Sequence, residues 1–189
     1  MVNLKHLIQE SIATKQRLLE LPEILAQIEK MIEKAIICLQ KGGKLIFIGN
    51  GGSFADALHL SAEFISRFKK DRPPLAAIAL GCNNSAVTAI GNDYDYSDVL
   101  VRELKALGKK EDFLIALSTS GNSKNVLKCI QTAKEIGMET IGFTGNKKGK
   151  MIDLIPCLEI PSSETARIQE CHIMIGHILC EEIDNQLFG

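Results

Sequence analysis

Between Lys44 and Glu63 the sequence reads KLIFIGNGGSFADALHLSAE, an apolar run, a glycine-rich turn and a helical pattern in immediate succession. Residues 45–48 are all apolar, which is typical of a strand covered on both faces. Three of the next four residues are glycine, which permits a tight turn and close backbone approach. Ser53 then falls near the first helical turn, where free N–H groups and the helix dipole favour an anion. This stretch predicts a strand–turn–helix unit that handles a small phosphorylated molecule.

The same alternation continues along the chain and predicts a parallel α/β fold. Strands are predicted at 44–48, 75–80, 113–117, 139–143 and 155–160. Helices are predicted at 53–69, about 84–107, 122–136, and from near Ser163 almost to the end. Such alternation with short loops gives a parallel sheet with helices on both faces. In these sheets, ligands bind beyond the carboxyl ends of the strands.

The N-terminal region carries two helical patterns of apolar residues, separated at Pro22. These helices could cover the sheet or bind another subunit. The chain shows no internal repeat or linker. We therefore predict a single domain, 1–189, in which 1–41 form N-terminal helices and 42–189 form the α/β core with the C-terminal helix.

The composition, with 46% hydrophobic and 24% charged residues, is that of an ordinary soluble globular protein. A formal net charge of −1 gives no electrostatic reason to expect nucleic-acid or membrane binding. The six cysteines have no CxxC or finger-like spacing, and the amphipathic start, MVNLKHLIQESI, lacks the apolar core of a signal peptide. We expect a cytoplasmic protein with reduced thiols.

A second candidate phosphate site is the segment STSGNS at 118–123, directly after the predicted strand 113–117. Hydroxyls and backbone N–H groups of such a turn can surround a phosphate without much positive charge. The alternative is an ordinary helix N-cap, although four hydroxyls in six positions exceed what capping requires. The first turn, 49–53, matches neither GxGxxG nor a Walker A loop, so nucleotide binding has little support.

His59 and Glu63 are four residues apart and share one helical face. Such a pair can hold a metal or place a general base beside a ligand, but it is more often a surface interaction. Gln169 and His177 on the last helix are about 80° apart around its axis. If that helix returns to the same cleft, the four residues would suit a divalent ion such as zinc; spacing alone leaves this open. Arg67, four residues after Glu63, is more often a surface ion-pair partner in such a pattern. Asp93 lies in the segment GNDY at 91–94, which fits a turn equally well.

With these residues identified, the sequence resembles the phosphoheptose isomerases of the SIS (sugar isomerase) family. The matching segments cover most of the chain from about residue 40 onward, in order. They are GNGGSFADALHLSAEF, RPPLAAIAL, GND, ALSTSGNSKNVLKCI, GFTGNKKGKM and ARIQECHIMIGHILCEEID. The N-terminal part matches only in its helical character.

The resemblance implies a three-layer α/β/α sandwich with a five-stranded parallel sheet of flavodoxin-like type, assembled as a homotetramer with active sites between subunits. It implies conversion of D-sedoheptulose 7-phosphate to D-glycero-D-manno-heptose 7-phosphate through an enediol(ate). That reaction supplies heptose for bacterial lipopolysaccharide or capsule. It implies a sugar-phosphate ligand and no nucleic-acid or membrane partner.

The resemblance also assigns roles to individual residues. Glu63 would be the catalytic base and His177 the acid/base partner. The zinc ligands would be His59, Glu63, Gln169 and His177, with one Zn²⁺ per subunit. The substrate-binding set would be Asn50, Gly51, Gly52, Ser53, Glu63, Arg67, Asn92, Asp93, Ser118, Thr119, Ser120, Ser123 and Gln169. Some members carry an aspartate where this chain has Ala166, so any sugar contact of that aspartate is in doubt here.

Two other functions remain as alternatives. One is a non-catalytic SIS protein that binds the replication initiator DnaA; we expect such regulators to lack the carboxylate at 63 and the histidine at 177, and this chain has both. The other is an isomerase for a pentose or hexose phosphate, because the spacing of these residues does not set the sugar's chain length.

Overall fold

A computed structural model describes residues 3–189; Met1 and Val2, which belong to the predicted N-terminal helical region, lie outside the described residues. The strands are β1 Leu45–Ile48, β2 Ala77–Ala79, β3 Phe113–Leu117, β4 Glu139–Gly145 and β5 Cys157–Ile160. The α-helices are α1 Leu4–Leu19, α2 Pro22–Gln40, α3 Gly52–Ile65, α4 Asn84–Asp93, α5 Val99–Leu107, α6 Lys124–Ile136 and α7 Thr165–Phe188. Short 3₁₀ helices cover Tyr96–Asp98 and Lys150–Asp153. All five predicted strands are confirmed, as is the break at Pro22.

The five strands form one parallel sheet in the order β2-β1-β3-β4-β5. The order reverses between β1 and β3, so the loops after these two strands diverge and leave a crevice at their carboxyl ends. Both glycine- and serine-rich turns predicted to bind phosphate follow β1 and β3. The fold therefore gathers them at the topological switch point.

Helices cover both faces of the sheet, which confirms the three-layer α/β/α architecture. Within β1, Leu45 and Phe47 belong to the core beneath α2, α3 and α7, whereas Ile46 and Ile48 belong to the core beneath α5 and α6. This alternation is the two-residue period of a strand. Because both faces are buried, the strand reads as a continuous apolar run. The single-domain assignment stays a prediction.

The predicted helix 84–107 is wrong as one element, because the chain breaks it after Asp93. Tyr94 leaves helical geometry, with φ −129° and ψ −108°. Asp95 then caps a new start, its side chain accepting a hydrogen bond from Ser97 N at 2.8 Å. The apolar spacing of α4 and α5 is helical on both sides of this break, so periodicity alone does not reveal it.

The predicted helix 53–69 ends early, at Ile65: Ser66 leaves helical geometry, with φ −83° and ψ −97°, and a buried arginine binds the last carbonyl groups. Arg72 donates from Nη1 to Phe64 O at 2.9 Å and from Nη2 to Glu63 O at 3.1 Å. Its Nε donates to Asp184 Oδ1 of α7 at 2.6 Å, and both side chains are 1% exposed. This buried ion pair fastens the C-terminal end of α3 to α7.

The first turns of α1 present an apolar stripe to solvent. The stripe consists of Leu4, Leu7, Ile8 and Ile12, which are 47–66% exposed. Among residues 3–189, none of the helices has the length and apolar character needed to cross a bilayer. All six cysteines are free thiols, and only Cys82 among them is exposed.

Candidate active site

Helices α3 and α7 pack closely at two positions that lack a side chain. A methyl group at Gly52, the first residue of α3, would lie 2.5 Å from Nε2 of Gln169. A methyl group at Gly176 of α7 would lie 2.5 Å from Leu60 Cδ1. A larger residue at Gly176 would press on the buried Leu60 side chain, whereas one at Gly52 would displace the end of the Gln169 side chain. The close approach brings the face of α3 that carries His59 and Glu63 against the face of α7 that carries His177.

At this contact, two imidazoles and a carboxylate converge. His59 Nε2 lies 3.1 Å from His177 Nε2 and 3.2 Å from Glu63 Oε1. Ligand atoms of the three residues all lie within 4.8 Å of one another. Phe68 stacks on the His177 ring with centroids 5.5 Å apart, which fixes the orientation of that imidazole. The surface-pair interpretation of His59 and Glu63 is therefore incomplete, because a residue 114 positions beyond Glu63 joins them.

The donor set fits a small divalent ion. Two nitrogen ligands of a tetrahedral zinc, each ~2.0–2.1 Å from the ion, lie roughly 3.3 Å apart. The His59–His177 and His59–Glu63 separations of 3.1 and 3.2 Å are close to that value. Gln169, the fourth predicted ligand, lies on the same helix pair with its carboxamide against Gly52.

The serine-rich turn after β3 is closely folded, and the hydroxyl at the N-cap of α6 is not used for capping. Ser118 Oγ lies 3.2 Å from Ser123 Oγ, and Gly121 N donates to Ser118 O at 3.0 Å. Ser123 is the N-cap residue of α6, yet its side chain makes no capping hydrogen bond. The capping alternative is thus wrong for Ser123. Ser118 is buried, Thr119 is half-buried and Ser120 is exposed at the rim.

The remaining predicted residues lie at the crevice edge or at the surface. Ser53 is buried in the first turn of α3. Arg67 is exposed, and no ion pair within residues 3–189 joins it to Glu63, so the predicted surface pair does not form. Asn92 and Asp93 are exposed at the end of α4, where Asn92 Nδ2 donates to Asp93 Oδ1 at 2.8 Å. Among residues 3–189, the groups able to hold a metal ion at this centre are His59, Glu63 and His177, and the three exposed residues are not among them.

Sequence reasoning missed one carboxylate on the same face of α3. Asp56 is half-buried, its Oδ2 is buried without a hydrogen-bond partner, and burial raises its pKa while the charge of His59 opposes that rise. Spacings of three and seven residues place it in line with His59 and Glu63. The spacing of Asp56, His59 and Glu63 could have been recognised in the sequence. Asn125, which pairs with Asn50, was also missed and gave no comparable pattern.

Comparisons with known proteins agree with this fold. A family model described as SIS domain matches residues 9–145, so the chain is a SIS-domain protein. It is 47% identical over 186 residues to a phosphoheptose isomerase of Aneurinibacillus thermoaerophilus, covering 98% of this chain and 94% of the relative.

Solved structures give the same result. The phosphoheptose isomerase of Neisseria gonorrhoeae is 38% identical with a TM-score of 0.90, covering 96% of this chain and 97% of that one. The Francisella tularensis phosphoheptose isomerase is 34% identical with a TM-score of 0.91, covering 98% and 100%. The chain belongs to the phosphoheptose isomerase family. It is therefore an aldose–ketose isomerase of sugar phosphates, which confirms the predicted enzyme class.

Proposed function

We propose that the protein converts D-sedoheptulose 7-phosphate to D-glycero-D-manno-heptose 7-phosphate. The observation that carries this proposal is the meeting of α3 and α7, which brings Glu63 and His177 to one centre around His59. The choice of a heptose as substrate comes from the relatives, which are named phosphoheptose isomerases. The product would serve bacterial surface heptose, in lipopolysaccharide or capsule, and the enzyme would act in the cytoplasm.

In the proposed mechanism, Glu63 moves the proton between two adjacent carbons. Moving the carbonyl from C2 to C1 requires removal of a proton from C1 and its return to C2, through an enediol(ate). Glu63 takes that proton and gives it back, while His177 exchanges a proton with the sugar oxygens as charge shifts between them. The stacked Phe68 keeps the imidazole of His177 in place for this transfer.

The serine hydroxyls hold the phosphate end of the substrate. Two sets of hydroxyls flank the switch-point crevice. One is Ser53 at the start of α3, and the other is the turn with Ser118, Thr119, Ser120 and Ser123. Their hydroxyls and the neighbouring N–H groups supply donors to phosphate oxygens. Binding energy from this remote group keeps the sugar in register with Glu63 and lowers the barrier at the reacting carbons.

We propose that His59, Glu63, Gln169 and His177 hold one Zn²⁺ per subunit. When bound, the ion supplies Lewis-acid stabilisation of negative charge on substrate oxygens. Arg67, Asn92 and Asp93, all exposed in this chain, would line the sugar in an active site that lies between subunits. The exposed stripe on α1 supports a homotetramer. Ala166 is exposed in the first turn of α7 and offers no polar contact to the sugar.

The test is a turnover assay with sedoheptulose 7-phosphate, with and without added zinc, monitoring aldose formation. Competition with five-, six- and seven-carbon sugar phosphates then ranks the substrates by kcat/KM. We expect the seven-carbon ketose to rank first. Absence of turnover under both conditions, together with binding to a DnaA-type initiator, would favour the regulator alternative instead.

A further inference from the structure

Two asparagines bridge the switch point of the sheet. Asn50 follows β1, and Asn125 lies in the first turn of α6 after β3. Each donates from Nδ2 to Oδ1 of the other, both at 2.8 Å. Asn125 is 5% exposed, so the pair is a built part of the crevice wall.

A backbone group fixes which way both carboxamides point. Val126 N donates to Asn125 Oδ1 at 3.0 Å, and only an oxygen can accept that hydrogen bond. Asn50 must then present its nitrogen to this oxygen and its own oxygen to Asn125 Nδ2. Tyr96, from the 3₁₀ helix after α4, donates its hydroxyl hydrogen to Asn50 Oδ1 at 3.3 Å.

These bonds use every acceptor of the pair and leave only donors. An amide oxygen has two lone pairs. Asn50 Oδ1 accepts from Asn125 and Tyr96, while Asn125 Oδ1 accepts from Asn50 and Val126. Each NH₂ group still has one hydrogen that is not engaged by the pair. A ligand at this wall therefore meets N–H groups and no carbonyl oxygen of either side chain.

The same three side chains line two neighbouring cavities. One, of about 200 Å³, has Leu80 and Leu100 among its other walls. The second, of about 400 Å³, includes Ser123 of the predicted phosphate turn and Lys124. The donors thus lie beside the place where the proposed phosphate group would bind.

We propose that Asn125 and Tyr96 are positioning residues for the isomerase reaction. They act through Asn50, holding its oxygen away from the substrate and its remaining N–H available to it. The two carboxamides therefore offer hydrogen-bond donors to the oxygens of a phosphorylated sugar. The inference rests on the proposed function, in which Asn50 contacts the substrate.

The test compares Tyr96→Phe and Asn125→Asp with a matched control, Tyr94→Phe, in steady-state kinetics of the zinc-loaded enzyme with sedoheptulose 7-phosphate. Tyr94 is equally exposed but stacks against Arg102 at 4.2 Å instead of reaching Asn50. We expect Tyr96→Phe to lower kcat/KM about threefold to tenfold, mainly through KM, because one neutral hydrogen bond is lost. Tyr94→Phe should stay within about twofold of wild type.

The Asn125→Asp variant gives a second readout through its pH profile. At pH 8 the ionised carboxylate faces Asn50 Oδ1 without a donor, and we expect kcat/KM to fall roughly 10- to 100-fold. As the pH falls toward about 5.5, a buried carboxyl regains its proton and donates again, so the ratio to wild type recovers. Unchanged kcat/KM in Tyr96→Phe, or a constant ratio for Asn125→Asp across this pH range, overturns the proposal.

Failure of the proposed function is separable from failure of this inference. If wild type and Tyr94→Phe both lack turnover, the substrate assignment fails, and calorimetric titration with inorganic phosphate replaces kinetics. Weaker phosphate binding by Tyr96→Phe than by Tyr94→Phe then supports the positioning role of Tyr96, and equal binding overturns it. If Asn125→Asp does not fold, as judged by its thermal melt, Tyr96→Phe decides the question alone.

Discussion

Replacing Asp184 with asparagine should destabilise the protein more than any surface charge change on the same helices. Asp184 accepts from Arg72 Nε at 2.6 Å and from the backbone N–H groups of Lys69 and Lys70 at 3.2 and 3.3 Å. An asparagine of the same shape turns an NH₂ group toward some of these donors. The Arg72 charge then remains buried without its counter-ion.

The expected loss is about 3–5 kcal/mol in the free energy of unfolding, the usual effect of removing one partner from a buried ion pair. For a chain of this size, ~1 kcal/mol shifts the melting temperature by roughly 2–4 °C, so we expect a decrease of about 6–20 °C. Because Arg72 also binds the carbonyl of Glu63, the end of α3 should loosen and kcat should fall as well.

Thermal unfolding and urea titration of Asp184→Asn measure this loss. The matched control is Glu181→Gln, which breaks the exposed ion pair between Lys69 and Glu181, 2.6 Å long and joining the same two segments. That pair should contribute at most about 1 kcal/mol. If Asp184→Asn melts within about 2–3 °C of the control, with m-values unchanged, the buried pair does not hold α3 to α7.

Four further outcomes follow from the site. Glu63→Gln should reduce kcat by about 10²–10⁴-fold while substrate binding, measured by calorimetry, persists; near wild-type turnover would remove Glu63 as the base. Ser118→Ala should lower kcat/KM for the sugar phosphate through kcat as well as KM, and an unchanged kcat/KM would contradict a phosphate role. Dialysis against a chelator should lower activity, and added zinc should restore it to wild type but not to His59→Ala, as activity assays on both proteins would reveal. Burial lowers the pKa of His172 to about 4, so the folded ring is neutral and unfolding takes up a proton below pH 6.5. Stability should therefore fall as pH drops from 6.5 to 4, and urea unfolding should show His172→Gln losing up to about 3 kcal/mol of that dependence.

Much of the fold could be predicted because its local signals agree with its tertiary structure. The apolar run 45–48 is a buried strand, Pro22 begins α2, and the glycines after β1 start α3. The break at Tyr94 was missed because helical spacing on both sides of it was interpreted as one element, although the segment 91–94 also fits a turn. The end of α3 depends on Asp184, which is 112 residues from Arg72.

The candidate site was predictable only in part for the same reason. The spacing of His59 and Glu63 is local, so it indicated a shared face. Their meeting with His177 depends on how α3 packs on α7, which spacing does not encode. The Asn50–Asn125 pair joins two loops that only the strand order brings together, and asparagines in turns have many ordinary uses.

The glycine at position 176 has a consequence for engineering this scaffold. It adjoins His177 and permits the close approach of α3 and α7, because a methyl group there would lie 2.5 Å from Cδ1 and Cδ2 of Leu60. The separation of the proposed reacting groups therefore depends on a contact between the α7 backbone and the Leu60 side chain that leaves no room for a methyl group. New sugar phosphates are best accommodated by redesigning the mouth of the crevice, because altered residues between the two helices would dismantle the catalytic centre itself.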